Sequence, residues 1–231
     1  MQPTSSETSA KRSSGFSRTA LASWLGVATL LVALGFIGTS TAQSDPNVLY
    51  DYSFAAGSIL IYAILVAVSL AMARALGRPL AASGLTKFSW SWTWKALGLI
   101  VLVLALARIL EPVFHAGEKQ GLEPDVWRPD RATAFALNAV VASTVVPFAE
   151  ELFFRGVGVR ALLPFGGLGA VSVTALAFGL GHGILAALPV LVLFGAALGW
   201  VRLRSDSAWP GMIAHGFFNG IALVLVYVSL T

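Results

Sequence analysis

The chain has 231 residues, of which 57% are hydrophobic and only 11% charged, with a mean hydropathy of +0.80. Ordinary globular domains are about 45–50% apolar and about 25% charged, so a soluble fold could not cover its outside with polar side chains, and that outside must face lipid. Fifteen Lys and Arg against eleven Asp and Glu give +4, an excess that in a membrane protein reflects cytoplasmic loops and not nucleic-acid binding; the absence of cysteine excludes disulfides, thiolate metal sites, a cysteine nucleophile and prenylation of the chain itself.

Residues Met1–Thr19 are rich in Ser and Thr and carry Lys11, Arg12 and Arg18, which predicts a disordered basic cytoplasmic tail. The first apolar run goes from Ala20 to about Gly38. Ser40-Thr41-Ala42 resembles a signal cleavage site, but the run exceeds the roughly 7–15 residues of a signal core, which favours an uncleaved span. Further runs follow at Phe54–Ala73, Ala96–Leu110, Ala134–Leu163, Leu168–Ala186, Leu188–Val201 and Trp209–Leu230. These predict an all-α polytopic transmembrane helix bundle of about seven spans, within six to eight. Between them, Arg74–Lys95 holds four basic residues, no acids, and Trp90, Trp92 and Trp94, which suits an interfacial loop. Glu111–Arg131 is the longest polar connection, and His115 beside it reads as an exposed loop histidine. The organisation is then a tail (1–19), amino-terminal membrane helices and loops (20–131), and a carboxy-terminal region (132–231) that holds the polar motifs.

With seven alternating spans and the amino terminus inside, eleven basic residues fall on the inner side and three (Lys119, Arg128, Arg131) outside. That imbalance favours a multi-pass protein of the cell membrane with a cytoplasmic amino terminus. One stretch fits badly. Gly167 to Arg202 offers few residues for two crossings, each helix reaching roughly 25 Å against a core about 30 Å thick.

The informative residues are polar ones inside apolar helices. Glu150 and Glu151 are adjacent in the run from Ala134, where each carboxylate costs roughly 2.5–3.5 kcal/mol near the bilayer centre. Arg155 lies at i,i+4 from Glu151, so the two can pair, while Glu150 points about 100° away and is left free for chemistry. The alternative is an interfacial helix end with all three charges in water. His182 follows Phe178 by four residues among Gly179, Gly181 and Gly183, and counting from the Pro164–Gly167 breaker puts it at the depth of Glu150. His215 and Asn219 share one face of the last helix, either as a site or as an interhelical hydrogen-bond pair. To reach Glu150, His215 requires the Glu150 helix to run on past Arg160 or the last helix to start deeper.

Glu150-Glu151-x-x-x-Arg155, Phe178-x-x-x-His182 and His215-x-x-x-Asn219, in that order, resemble the motifs of the CAAX-protease and bacteriocin-processing family of intramembrane proteases, which includes prenyl-protein endopeptidases. The likeness extends over roughly Val141–Val226. It implies peptide-bond hydrolysis in the membrane, on membrane-associated substrates of prenylated CAAX or bacteriocin-like type. Glu150 would be the general base on a water helped by His182, with His215 and Asn219 as oxyanion donors, and Glu151 and Arg155 fixing the helix. Members are often described as metalloproteases, and Glu150, His182 and His215 are the right count for a divalent metal such as zinc. Their separation and the poor ligand Asn219 favour a metal-free glutamate mechanism. A proton-coupled transporter and a non-catalytic membrane partner are the alternatives for the same buried residues.

Overall fold

The computed structural model describes residues 17–41, 47–77, 79–114, 124 and 126–231. The expectations for the tail up to residue 16 and for His115 fall outside these residues. Among them the protein is all-α: α1 (Arg18–Thr41), α2 (Tyr52–Ala75), a short α3 (Pro79–Ser83), α4 (Trp90–Phe114), α5 (Ala132–Glu151), α6 (Gly167–Gly181), α7 (Leu188–Ser205) and α8 (Trp209–Leu230). The chain does not leave the helical path after α5. It continues through a π-helical stretch, Leu152–Gly158, and a last α-turn, Val159–Leu162.

Six helical segments are long and apolar enough to cross a membrane, and α6 is a shorter apolar helix. The tight stretch after Gly167 is resolved by that one short helix. It stops early because Gly183 takes φ +70°, a left-handed backbone that ends the helix, with the His182 and Gly183 amides bonded back to Gly179 and Leu180 carbonyls. Conversely, the segment Pro129–Phe165 spans 37 residues, far more than the roughly 20 that one crossing needs. The helix carrying Glu150 therefore does extend past Arg160, as the position of His215 requires.

Packing follows the rule for lipid-bathed helices: small residues inside, large apolar ones outside. On α2, Ala55, Ser69 and Ala73 are buried, whereas Ile59, Leu60, Ile61 and Ile64 are exposed. Gly195 and Gly199 of α7 lie against Ala175 and Val171 of α6, where an added Cβ would be crowded. Trp90 and Trp94 are exposed, but they sit in the first turns of α4 and not in a loop, since tryptophan continues a helix without a break. Trp92 lies under the Lys95 ammonium, 4.1 Å from its ring centre, and meets Trp200 edge-on.

Alternate connections gather at opposite ends of the bundle. At one end the Gly84 carbonyl accepts from the Ala208 amide (2.8 Å), and the Thr86 hydroxyl donates to the Asp206 carbonyl (2.6 Å). At the other, the Asn138 amide of α5 donates to the carbonyls of Leu49 and Asp51, each at 3.0 Å. Asp51 also caps α2 by accepting from the Ser53 amide, which holds its carboxyl below the usual carboxylate range.

The π-helical stretch after α5 is the hub, and α1 is bolted to it. Trp24 is fully buried, stacks on Phe153 at 5.7 Å, and donates its indole N–H to the Phe153 carbonyl at 3.2 Å. Gly158 makes the space, since a Cβ there would strike the indole. Replacing Trp24 by Ala should cost about 3–5 kcal/mol through the cavity it leaves, and by Phe about 1 kcal/mol through the lost hydrogen bond. Unfolding by SDS titration in mixed micelles measures both, and an Ala variant as stable as the Phe variant would contradict this packing.

Candidate active site

Glu151 closes the α-helical part of α5, and Arg155 lies in the π-helical stretch one turn on. Arg155 Nη1 donates to Glu151 Oε1 at 2.8 Å, and both side chains are 0% exposed. The i,i+4 pairing read from the spacing is present, and the alternative of charges in water at a helix end is overturned. Burying an ion pair costs desolvation that the pairing must offset, and Glu151 Oε2 and Arg155 Nε and Nη2 have no hydrogen-bond partner among the described residues. The guanidinium lies 4.3 Å from the centre of the Phe178 ring, over its electron-rich face. Its Nη2 side fills the recess left by Gly195, where a Cβ would crowd it.

The same carboxylate oxygen takes a second donor. His215 Nδ1 is 3.2 Å from Glu151 Oε1, so the buried pair also grips α8. Because a carboxylate accepts, Nδ1 carries the proton, and the ring presents Nε2 away from Glu151. That Nε2 faces Glu150, 3.8 Å from its Oε2. Glu150 is nearly buried as well, and its other oxygen, Oε1, accepts from the Tyr62 hydroxyl of α2 at 3.1 Å. The two glutamates are thus differently committed. Glu151 gives Oε1 to both Arg155 and His215 and has Oε2 closed off in the buried pair; Glu150, slightly exposed, keeps Oε2 beyond hydrogen-bond reach of the His215 ring.

His182 departs from the expected setting, a site within a helix, because the glycines around it end α6 at Gly181. At the helix end its Nδ1 bonds the Phe178 carbonyl at 2.8 Å. A carbonyl only accepts, so in the neutral ring Nδ1 holds the proton and Nε2 keeps a lone pair. Phe178 connects the motifs: its ring centre is 4.7 Å from that of His182, 5.9 Å from that of His215, and it carries Arg155. Asn219 is bonded to the backbone of α5. Its Nδ2 donates to the Ala142 carbonyl at 2.9 Å, which is the interhelical pairing weighed as its alternative role, and one N–H remains uncommitted. Between the same helices, α5 and α8, runs an apolar groove of about 690 Å³, floored by Gly216 and Gly220 and walled by Phe148, Trp209, Phe217 and Ile221.

Among the described residues no three His, Asp or Glu side chains are grouped so as to hold an ion.

Two contacts came from outside the motifs. Tyr62 and Trp24 each sit alone in an apolar run, and their only signal in sequence is a polar tip that must find a partner when buried.

Residues 132–221 match the family model of the Type II CAAX prenyl endopeptidase Rce1-like proteins, a segment that holds all three motifs. The resemblance to CAAX proteases is therefore borne out over this part of the chain. No curated protein and no solved structure matches.

The shared oxygen of Glu151 yields a stability test. Glu151→Gln or Arg155→Met alone should cost about 3–5 kcal/mol, because each leaves one buried charge unpaired. The double variant, with no orphan charge, should recover much of the loss. Equal destabilisation of single and double variants, followed by SDS titration, would contradict the pairing.

Proposed function

We propose that the chain is a CAAX-type intramembrane protease in which Glu150 is the general base, acting on a water aligned with His182. The observation that carries this reading is the division between the two buried glutamates. Each glutamate leaves Oε2 without a hydrogen bond, but that of Glu151 is sealed in a fully buried ion pair, whereas the Glu150 side chain stays 12% exposed and its Oε2 lies next to the imidazole of His215.

In the proposed sequence, His182 Nε2 accepts one hydrogen of the water and orients its oxygen lone pair towards the scissile carbonyl. Glu150 Oε2 takes the other proton as the C–O bond forms. The tetrahedral oxyanion is held by the uncommitted N–H of Asn219 and by His215 Nε2–H. With both nitrogens protonated, His215 donates to Glu151 and to the oxyanion, and its charge offsets the second buried carboxylate. The proton on Glu150 then passes to the departing amide nitrogen as the C–N bond breaks. Preorganisation matters here, since each oxyanion donor in a dry site supplies about 3–4 kcal/mol.

The substrate class follows from access. The apolar groove between α5 and α8 opens beside Gly216, the residue next to His215, which favours a peptide held in the bilayer by its own lipid or apolar segment. A prenylated CAAX-type peptide is the first substrate to try, with bacteriocin-like peptides second.

The test is cleavage of a prenylated CAAX-type peptide by the purified chain in liposomes, read by mass spectrometry. Glu150→Gln should insert and unfold like wild type and lose at least about a hundredfold in rate, because an amide cannot accept the proton. Turnover should survive a strong chelator, since the donors are not grouped for a metal. Activity of Glu150→Gln within tenfold of wild type would contradict the assignment, and loss of activity to the chelator would contradict its metal-free form.

A further inference from the structure

The motifs lie in α5 and the π-helical stretch after it, at the end of α6 and in α8, yet the hydrogen bond to Glu150 comes from α2. Tyr62, Leu65, Ser69 and Met72 recur at helical spacing along one face of that helix. The last three are buried and Ser69 bonds its own helix at Leu65, so this face is the one α2 turns inward. A phenol on such a face needs an acceptor. Tyr62 finds it in Glu150 Oε1, 3.1 Å away.

The consequence concerns which oxygen of Glu150 reacts. The terminal torsion of a glutamate is broad and roughly two-fold, so a carboxylate without a fixed donor exchanges its oxygens freely. One O–H held on Oε1 removes that freedom. The other oxygen is then the one beside His215 Nε2, at 3.8 Å, a gap too long for a direct bond. A donor fixed by a rigid helix thus presents the base in one orientation, which is the preorganisation a proton transfer needs.

We infer that Tyr62 is a positioning residue for the proteolytic reaction: its hydroxyl pins Oε1 of Glu150 and leaves Oε2 as the oxygen that takes the water's proton. The inference rests on Glu150 being the base, and it makes the amino-terminal half of the chain part of the catalytic apparatus, since α2 lies outside residues 132–221. It also bears on substrate binding. Tyr62 acts through Glu150 and not on the peptide, so its loss should leave KM alone.

The test is Tyr62→Phe in the full-length protein, which deletes one hydroxyl and keeps the ring. For cleavage of the prenylated peptide, kcat should fall about tenfold with KM within twofold, the signature of a lost transition-state interaction. A second measurement does not depend on activity. A hydrophobic carbodiimide should modify Glu150 at least about threefold faster in Tyr62→Phe, because the hydroxyl no longer occupies Oε1, with Glu150→Gln marking the labelled peptide in the mass spectrum. An unchanged labelling rate, or a kcat within twofold of wild type, overturns the inference. If wild type cleaves nothing, the protease reading itself fails, and the labelling rate still decides whether Tyr62 holds the carboxylate.

Discussion

One carboxylate oxygen holds the site together. Glu151 Oε1 accepts from Arg155 in its own helical segment and from His215 in α8, in surroundings closed to water. Neither partner could be buried alone, since an uncompensated charge in this setting costs several kcal/mol. The neighbouring structure is shaped around that constraint. Gly195 leaves the recess for the guanidinium, the Phe178 ring receives its face, and the π-helical stretch after Glu151 carries Arg155 into place. π-helical turns inside α-helices are rare and concentrate at functional sites. Here the stretch begins directly after Glu151 and contains Arg155 itself. Glu150, one residue earlier and about 100° round, is spared from the pairing by helical geometry alone.

The family pattern occupies 132–221, but the geometry draws on the rest of the chain. Trp24 of α1 caps a carbonyl of the π-helical stretch, and Tyr62 of α2 holds Glu150. The His182 loop is backed by α1 too: Gly35 and Gly183 approach so closely that neither admits a Cβ, and Thr39 donates to the Gly183 carbonyl at 3.1 Å. An amino-terminal half that reads as generic membrane spans thus supports the π-helical stretch, Glu150 and the His182 loop from behind. Lipid-facing residues there carry little information, whereas Trp24, Gly35 and Tyr62 each meet one specific group.

Much of this was legible in the sequence for physical reasons. Lipid exposure is written in composition, so the all-α bundle followed from apolar runs. The Glu151–Arg155 contact followed from i,i+4 spacing and the cost of burying charge. The depth of His215 could be met by a helix running past Arg160, and the helical path does continue to Leu162. What stayed hidden depends on rotation and backbone detail that hydropathy does not encode. Nothing in an apolar run says which way Tyr62 faces. Glycines around His182 permitted either a close-packed helix or its end, and only the left-handed Gly183 decides between them. Asn219 could serve a site or a neighbouring helix, and its bond to Ala142 is fixed by how α5 and α8 cross.

The central claim is that the buried Glu151 pair, and not apolar packing alone, brings α5 and α8 to one place. The chain has no cysteine, so single pairs can be introduced cleanly. Phe148 and Trp209 touch across the two helices, with ring centres 6.0 Å apart, outside the ion pair itself. Cysteines at these positions should crosslink in high yield with a short bifunctional reagent when Glu151 is intact, and the yield should fall severalfold once Glu151 is replaced by Gln. Equal crosslinking in both backgrounds would contradict the claim, because the helices would then meet without the carboxylate that is held to join them.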